Sequence, residues 1–158
     1  MHLYPASLLV TAAVFLPNLV FLALPPLNVE KYGKPIDPLA LTLIERVGQV
    51  SSFCLPLFYP LSSTGPLVIA AWGVMAISLV LYYSGWIRFF GHGRDYALLF
   101  RSTAAIPVPM AVCPVVVFLF ASVVLGSIWQ AAAAVVLGIG HITIAVREQR
   151  RIALASHL

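Results

Sequence analysis

Charged side chains are scarce in this 158-residue sequence. Lysine and arginine number nine, aspartate and glutamate number five, and 61% of the residues are hydrophobic. The mean hydropathy is +1.01. So few charges cannot cover the surface of a water-soluble globule of this length. The composition therefore excludes an ordinary soluble domain and indicates an integral membrane protein.

Cysteine and catalytic motifs are equally scarce. The two cysteines, Cys54 and Cys113, lie in separate apolar stretches without CxxC or zinc-ligand spacing, and we interpret both as small packing residues. The sequence contains no HExxH, no GxSxG and no Walker loop. It therefore predicts neither a metal site nor a cofactor, and it favours a protein that is not an enzyme.

The net charge of +4 points to a membrane surface and not to nucleic acid. In a soluble domain such a basic balance would suggest nucleic-acid binding, but here the basic residues stand at the ends of apolar stretches. Basic residues in that position set topology and contact anionic lipid headgroups. The expected partners are therefore membrane lipids, through anionic headgroups on the cytoplasmic face.

The apolar stretches predict an all-α fold, an integral membrane bundle of five transmembrane helices in a single domain. The predicted spans are residues 6–24, 38–61, 67–87, 104–125 and 129–146. Runs of about 20 residues at about 1.5 Å per residue match a hydrocarbon layer of about 30 Å. The spans show no internal repeat.

The basic residues predict the orientation of this bundle. With the N-terminus outside and the C-terminus cytoplasmic, one threading places all nine on the inner side, as the positive-inside rule requires: Lys31, Lys34, Arg46, Arg88, Arg94, Arg101, Arg147, Arg150 and Arg151. A multi-pass protein of the cell inner (plasma) membrane is the expectation. The alternatives are a four-span chain and a cleaved signal peptide, but no basic residue precedes the first apolar stretch.

The second span has a polar stripe, which we call the seam. Thr42, Glu45, Gln49 and Ser52 follow one another at spacings of three and four residues, which on a helix confines them to an arc of about 80°. Polar side chains at this depth face the bundle interior or a wet cavity, because exposure to lipid is costly. The seam predicts a ligand or ion site. The alternative is that Glu45 snorkels to the surface while Gln49 and Ser52 bond to neighbouring helices.

His141 is the only titratable residue of the fifth predicted span. The topology puts it at a depth comparable to that of Glu45, and Gly138 and Gly140 beside it permit close approach by another helix. A Glu45–His141 pair is able to relay protons or bind a cation. The alternative is that His141 merely forms a hydrogen bond to a packed helix.

Proline is frequent inside the predicted spans, notably at Pro17, Pro56, Pro107, Pro109 and Pro114. An interior proline leaves the carbonyl four residues earlier without its helical donor, so that such carbonyls need partners inside the bundle. The carbonyls freed by Pro17, Pro56 and Pro114 belong to Ala13, Ser52 and Met110. Such breaks serve either a binding site or packing.

The third and fourth spans are joined by the main basic loop. Arg88, Arg94 and Arg101 in this loop are predicted to bind an anionic headgroup or a phosphorylated substrate, because guanidinium groups pair with phosphate oxygens. Residues 95–101 are expected to form a short helix in the headgroup plane. The alternative is a loop that only sets topology.

Taken together, these patterns predict a small polytopic membrane protein, non-enzymatic, that binds or transports a small or lipid-like solute. One alternative is an interfacial membrane enzyme that acts on lipid or isoprenoid phosphates. Another is an accessory subunit of a larger membrane complex. The small residues at 131–134 with Gly138 offer a close-packing surface for a homo-oligomer or for such a complex.

Overall fold

The computed structural model describes residues 2–33, 37–103 and 105–155, and in these ranges the chain forms five α-helices and no strand. The helices are α1 (Leu8–Ala23), α2 (Leu39–Cys54), α3 (Pro66–Gly91), α4 (Pro109–Leu125) and α5 (Ile128–Ala155). The all-α prediction is confirmed. Three segments are long and apolar enough to cross a membrane: Pro5–Ala23, which adds a 3₁₀ turn before α1, and the helices α3 and α5.

Prolines end α2 and start α4 within the predicted spans. The second predicted span extended to residue 61, but α2 ends at Cys54 and a 3₁₀ turn, Leu55–Phe58, contains Pro56. The fourth was expected from Ala104, which lies outside the described residues, but α4 begins at Pro109. A residue that precedes a proline disfavours the α conformation, so Pro107 and Pro109 keep residues 105–108 out of the helix.

Two prolines remain inside helices, Pro17 in α1 and Pro114 in α4. The expected breaks at Pro56, Pro107 and Pro109 are therefore helix boundaries and not kinks.

The third and fifth spans are longer than predicted, since α3 extends to Gly91 and α5 to Ala155. The arginines at 88, 147, 150 and 151 thus belong to helices and not to loops.

The central helix of the bundle is α4, which packs between α3 and α5 with α1 across it. Val117, Phe118, Ala121 and Val124 of α4 are completely buried and form the centre of the largest core cluster. On α2, Phe53 joins this core through the ring of Phe118, at a centroid distance of 5.4 Å. A helix surrounded by its neighbours can be apolar on all sides, which explains why its sequence shows no polar face.

Glycines bring the backbones of α2 and α5 into direct contact. A Cβ atom placed on Gly48 would lie 2.3 Å from the backbone nitrogen of Leu137, and one placed on Gly140 would lie 2.5 Å from the backbone nitrogen of Glu45. No side chain fits between the helices at these positions, so only glycine permits the contact. The α2–α5 contact fixes which residues of the two helices face each other.

The small residues of α5 also pack inside the chain. Ala133 and Ala134 are buried, and a Cβ atom on Gly138 would lie 3.1 Å from a methyl group of Val115 in α4. The surface expected to serve assembly is thus partly occupied by the chain's own helices.

The described ends of the chain lie at opposite ends of the bundle. At the end that we call the upper end, the amide of Tyr4 donates to the carbonyl of Leu57 at 2.7 Å. At the lower end, the amide of Leu27 donates to the carbonyl of Arg94 at 2.8 Å, and Tyr96 contacts Glu148 near the end of α5. The loops after α1 and α3 therefore share one end with the last turns of α5.

Two of the three carbonyls freed by proline have partners within the bundle. The hydroxyl of Tyr83 donates to the carbonyl of Ala13 at 2.8 Å. The side-chain amide of Gln130 donates to the carbonyl of Ser52 at 3.4 Å. Both donors come from other helices, so these polar contacts also join α1 to α3 and α2 to α5.

Alanine at Gly48 is expected to destabilise the bundle by about 1–3 kcal/mol, because its Cβ atom collides with the backbone of α5. Gly73 in α3 is the matched control, since a Cβ atom there meets nothing within 4 Å and Gly73→Ala should be neutral or slightly stabilising. Unfolding of both variants in detergent measures the difference. Equal midpoints for the two variants would contradict the close contact.

Tyr83→Phe is expected to cost about 1–3 kcal/mol, because the carbonyl of Ala13 loses its donor. In a Pro17→Ala background the new amide can supply the missing helical hydrogen bond, so the cost should fall by roughly 1 kcal/mol. A double-mutant cycle of unfolding free energies measures this coupling. The same cost in both backgrounds would show that Tyr83 does not substitute for the lost donor.

Candidate functional site

Glu45 and His141 meet where α2 crosses α5. The Nδ1 atom of His141 lies 2.6 Å from the Oε1 atom of Glu45, and the two side chains are 34% and 22% exposed. The residue before His141 is Gly140, whose missing Cβ atom allows the backbone of Glu45 to approach. The depth argument from the sequence expected such a pair, and the glycine contact is the physical reason that the helices come close enough to form it.

The pair can hold or pass a proton. A neutral imidazole donates Nδ1–H to the carboxylate, and an imidazolium forms an ion pair with it, so both protonation states keep the contact. The second carboxylate oxygen of Glu45 and the Nε2 atom of His141 make no hydrogen bond to any residue in the described ranges. These two atoms remain available to a solute.

The rest of the seam does not form one continuous buried row. Ser52 is fully buried, whereas Gln49 is exposed on the bundle surface. The hydroxyl of Thr42 donates to the carbonyl of Pro38, the residue just before α2, at 3.4 Å. Gln49 follows Gly48 and so stands about 100° around the helix from the contact with α5. Of the expected site residues, the structure joins Glu45 to His141, whereas the exposed side chain of Gln49 forms no hydrogen bond to either of them.

A buried glutamine that the sequence reasoning did not single out lies near Ser52. Gln130, in the first turn of α5, is completely buried and donates to the carbonyl of Ser52. Its Oε1 atom and the hydroxyl of Ser52 are buried without a hydrogen-bond partner among the described residues. Pro56 is the feature of the sequence that could have led to Gln130, because a carbonyl freed by a proline in an apolar setting requires a donor from another part of the chain.

The three arginines of the predicted headgroup site have different roles. Arg88 closes the loop, because its guanidinium donates to the hydroxyl of Thr103 at 2.6 Å and to the carbonyls of Leu98 and Arg101 at 3.4 and 3.3 Å. The side chains of Arg94 and Arg101 form no hydrogen bond to a described residue. Of these three arginines, only Arg94 and Arg101 therefore have guanidinium groups that are free for an external anion. As expected, a short helix follows, the 3₁₀ helix Tyr96–Phe100.

A polar network at the lower end, missed from the sequence, joins three segments. The hydroxyl of Tyr96 donates to Oε1 of Glu148 at 2.9 Å, and Arg151 donates from Nε to Oε2 of the same carboxylate at 2.8 Å. Arg151 also donates to the carbonyls of Tyr32 and Gly33. Burial, and then the hydrogen bond and charge of Glu148, raise the pKa of Tyr96, so its hydroxyl remains a donor at neutral pH.

Metal-binding clusters are missing from the described part of the chain, where no three His, Cys, Asp or Glu side chains come together. Cys54 is exposed and Cys113 buried, and both are free thiols.

Tyr96→Phe is expected to lower the unfolding free energy by about 1 kcal/mol at pH 7, because one hydrogen bond to the Glu148 carboxylate is lost. The folded-state pKa of Tyr96 is raised, so this contribution is complete below the unfolded value of about 10 and declines as the pH rises above it. Unfolding of both proteins from pH 7 to 11 measures the difference.

The matched control is Tyr59→Phe, because the hydroxyl of Tyr59 forms no hydrogen bond to a described residue. It should leave the unfolding free energy nearly unchanged. A gap between wild type and Tyr96→Phe that stays constant to pH 11 would contradict the assigned hydrogen bond.

Comparison with models of known protein families, with curated protein sequences and with solved structures finds no match to this chain. Its function is therefore inferred from its own residues.

Proposed function

We propose that this chain is a five-span protein of the cell inner (plasma) membrane that binds and translocates a small or lipid-like solute, with the Glu45–His141 pair as its protonatable site. The observation that carries the proposal is the 2.6 Å contact between Nδ1 of His141 and Oε1 of Glu45, which joins α2 to α5. The solute is one that moves with a proton or in exchange for it.

The cost of placing an acid and an imidazole in this position supports a functional role. Ionisable groups within membrane helices are expensive, and they typically mark substrate paths or proton relays. The α2–α5 contact does not require them, since the glycines already bring the backbones together. Because both side chains remain partly exposed, a solute can reach the pair.

The arrangement of charges supports the orientation, with the N-terminus outside and the C-terminus cytoplasmic. Lys31, Arg94 and Arg101 lie on loops at the lower end, and α5 brings Arg147, Arg150 and Arg151 to the same end. Basic residues concentrate on the cytoplasmic side of membrane proteins, so the lower end is the inner one. Lys34 belongs to the same loop in the sequence but lies outside the described residues.

Two helices are shorter than the usual span, yet their lengths are compatible with crossing. The 16 residues of α2 and the four of the following 3₁₀ turn extend about 32 Å at about 1.5 and 2.0 Å per residue. The 17 residues of α4 extend about 26 Å, but α4 is enclosed by its neighbours and needs little contact with lipid. Five crossings are thus sterically consistent with a layer of about 30 Å.

The proposed route to the pair lies between α1 and α2. Among the described residues, the hydrogen bond and the ring contact between these helices both involve Phe53. The hydroxyl of Thr11 donates to the carbonyl of Phe53 at 3.0 Å, and the rings of Phe15 and Phe53 have a centroid distance of 5.7 Å. Towards the lower end from Phe53, Gln49 is exposed and Glu45 partly exposed. The polar side of α2 is therefore accessible from between the two helices.

The interfacial-enzyme alternative has weaker support. It needs free arginines beside an acid–base pair at the membrane surface. Arg94 and Arg101 are free, but Arg88 is occupied by Thr103 and by backbone carbonyls. The acid–base pair that does exist, Glu45–His141, lies within the helices and not in the loop.

Glu45→Gln and His141→Asn are expected to lower solute-driven proton movement at least about tenfold, about 1.4 kcal/mol in barrier height. Both changes remove titration, and the asparagine amide keeps a hydrogen-bond donor near the position of Nδ1. The measurement uses proteoliposomes with an entrapped pH dye and a panel of amines, amino acids, sugars and inorganic ions. Glu30→Gln is the control, because Glu30 is an exposed loop carboxylate.

The expected result is that at least one solute of the panel evokes proton movement with the wild-type protein and with Glu30→Gln. Unchanged proton movement in both pair variants, or no response of the wild type to any solute, would overturn the proposal.

A further inference from the structure

A cavity lined by charged side chains at the lower end has no role in the proposed solute path. Its volume is about 300 Å³, and it is lined by Asp37, Arg147, Glu148, Arg150, Arg151 and Leu154. It therefore lies between the start of α2 and the last turns of α5. Three arginines and two carboxylates in one small cavity indicate a ligand that is charged itself.

The charges within the cavity are not equivalent. Arg151 is occupied by its ion pair with Glu148 and by the carbonyls of Tyr32 and Gly33. Arg147 and Arg150 are exposed, and their side chains form no hydrogen bond or ion pair to any residue of the described ranges. At a spacing of three residues they share one face of α5. Two adjacent free guanidinium groups suit a phosphate.

The carboxylate of Asp37 indicates that the ligand also carries a positively charged group. Asp37 lines the cavity with the two free arginines, and no described residue pairs with its side chain. A ligand with phosphate alone would bring negative charge towards this carboxylate, which is unfavourable. A ligand with phosphate and ammonium groups would satisfy both the arginines and Asp37. A primary ammonium can donate hydrogen bonds to a carboxylate, whereas a quaternary one has no N–H to donate.

The cavity lies at headgroup depth if α5 crosses the membrane. The 28 residues of α5 extend about 42 Å, about 12 Å more than the hydrocarbon layer. With the exposed Trp129 at the outer boundary, about 20 residues bring the helix to the inner boundary near Glu148. Arg147 and Arg150 are therefore expected level with the phosphates of the inner leaflet.

We propose that this cavity binds the headgroup of an aminophospholipid, with Arg147 and Arg150 on the phosphate and Asp37 on the primary ammonium. The site differs from the arginines at 88, 94 and 101 that the sequence suggested. It depends on the membrane placement in the proposed function but not on the Glu45–His141 pair, so either proposal can fail alone.

The experiment is native mass spectrometry of the delipidated protein in detergent, with phosphatidylethanolamine, phosphatidylglycerol and phosphatidylcholine of identical acyl chains. Wild type is expected to bind the ethanolamine lipid at least about tenfold more tightly than the choline lipid, a difference of about 1.4 kcal/mol. Arg147→Gln with Arg150→Gln should lose this binding. Asp37→Asn should keep phosphate binding but lose the preference for the ethanolamine lipid over the choline lipid.

Two controls separate this site from general lipid binding and from the solute path. Lys31→Gln removes an exposed cation at the same end of the bundle but outside the cavity, and Glu45→Gln alters the protonatable pair. Both should bind the ethanolamine lipid as wild type does.

Equal binding of the choline and ethanolamine lipids, or retained binding in the double arginine variant, would overturn the proposal. So would an unchanged lipid preference in Asp37→Asn. Displacement of the lipid by an equal concentration of free phosphoethanolamine would also overturn it, and would assign the cavity to a soluble phosphate ester.

Discussion

The direct contact between the backbones of α2 and α5 is the constraint on which the rest of the structure depends. Gly48 and Gly140 permit an approach that any Cβ atom would block. Because this approach fixes the rotation of both helices, it places Glu45 against His141 and Ser52 against Gln130. The proposed proton site is thus a consequence of two missing side chains, and its position would shift if either glycine were enlarged.

Backbone polar groups that lose their helical partners shape the remaining contacts. Pro17 frees the carbonyl of Ala13, and Tyr83 of α3 supplies the donor. Pro56 has the corresponding effect on Ser52, whose donor is Gln130. In an apolar environment an unsatisfied carbonyl costs several kcal/mol, so a polar side chain from another helix is needed at each of these two positions.

Helix α5 contributes residues to three polar features, which lie at separate depths. Gln130 lies near the upper end, His141 lies within the bundle, and Arg147 and Arg150 line the cavity at the lower end. Seven residues separate His141 from Glu148, a distance of about 10 Å along the helix. This separation is why the proton site and the proposed lipid site can be tested independently.

Composition and apolar periodicity by themselves determined the all-α class, the number of helices, the short helix after Asp95 and the comparable depths of Glu45 and His141. These properties follow from local preferences and from length along a helix axis. Only the tertiary structure decided that Gln49 is exposed, that Gln130 is buried and that Arg88 is occupied while Arg147 is free. The direction in which a side chain points depends on the neighbour that its helix meets, and a single sequence does not contain that information when the contact is made by glycine backbones far apart in the chain.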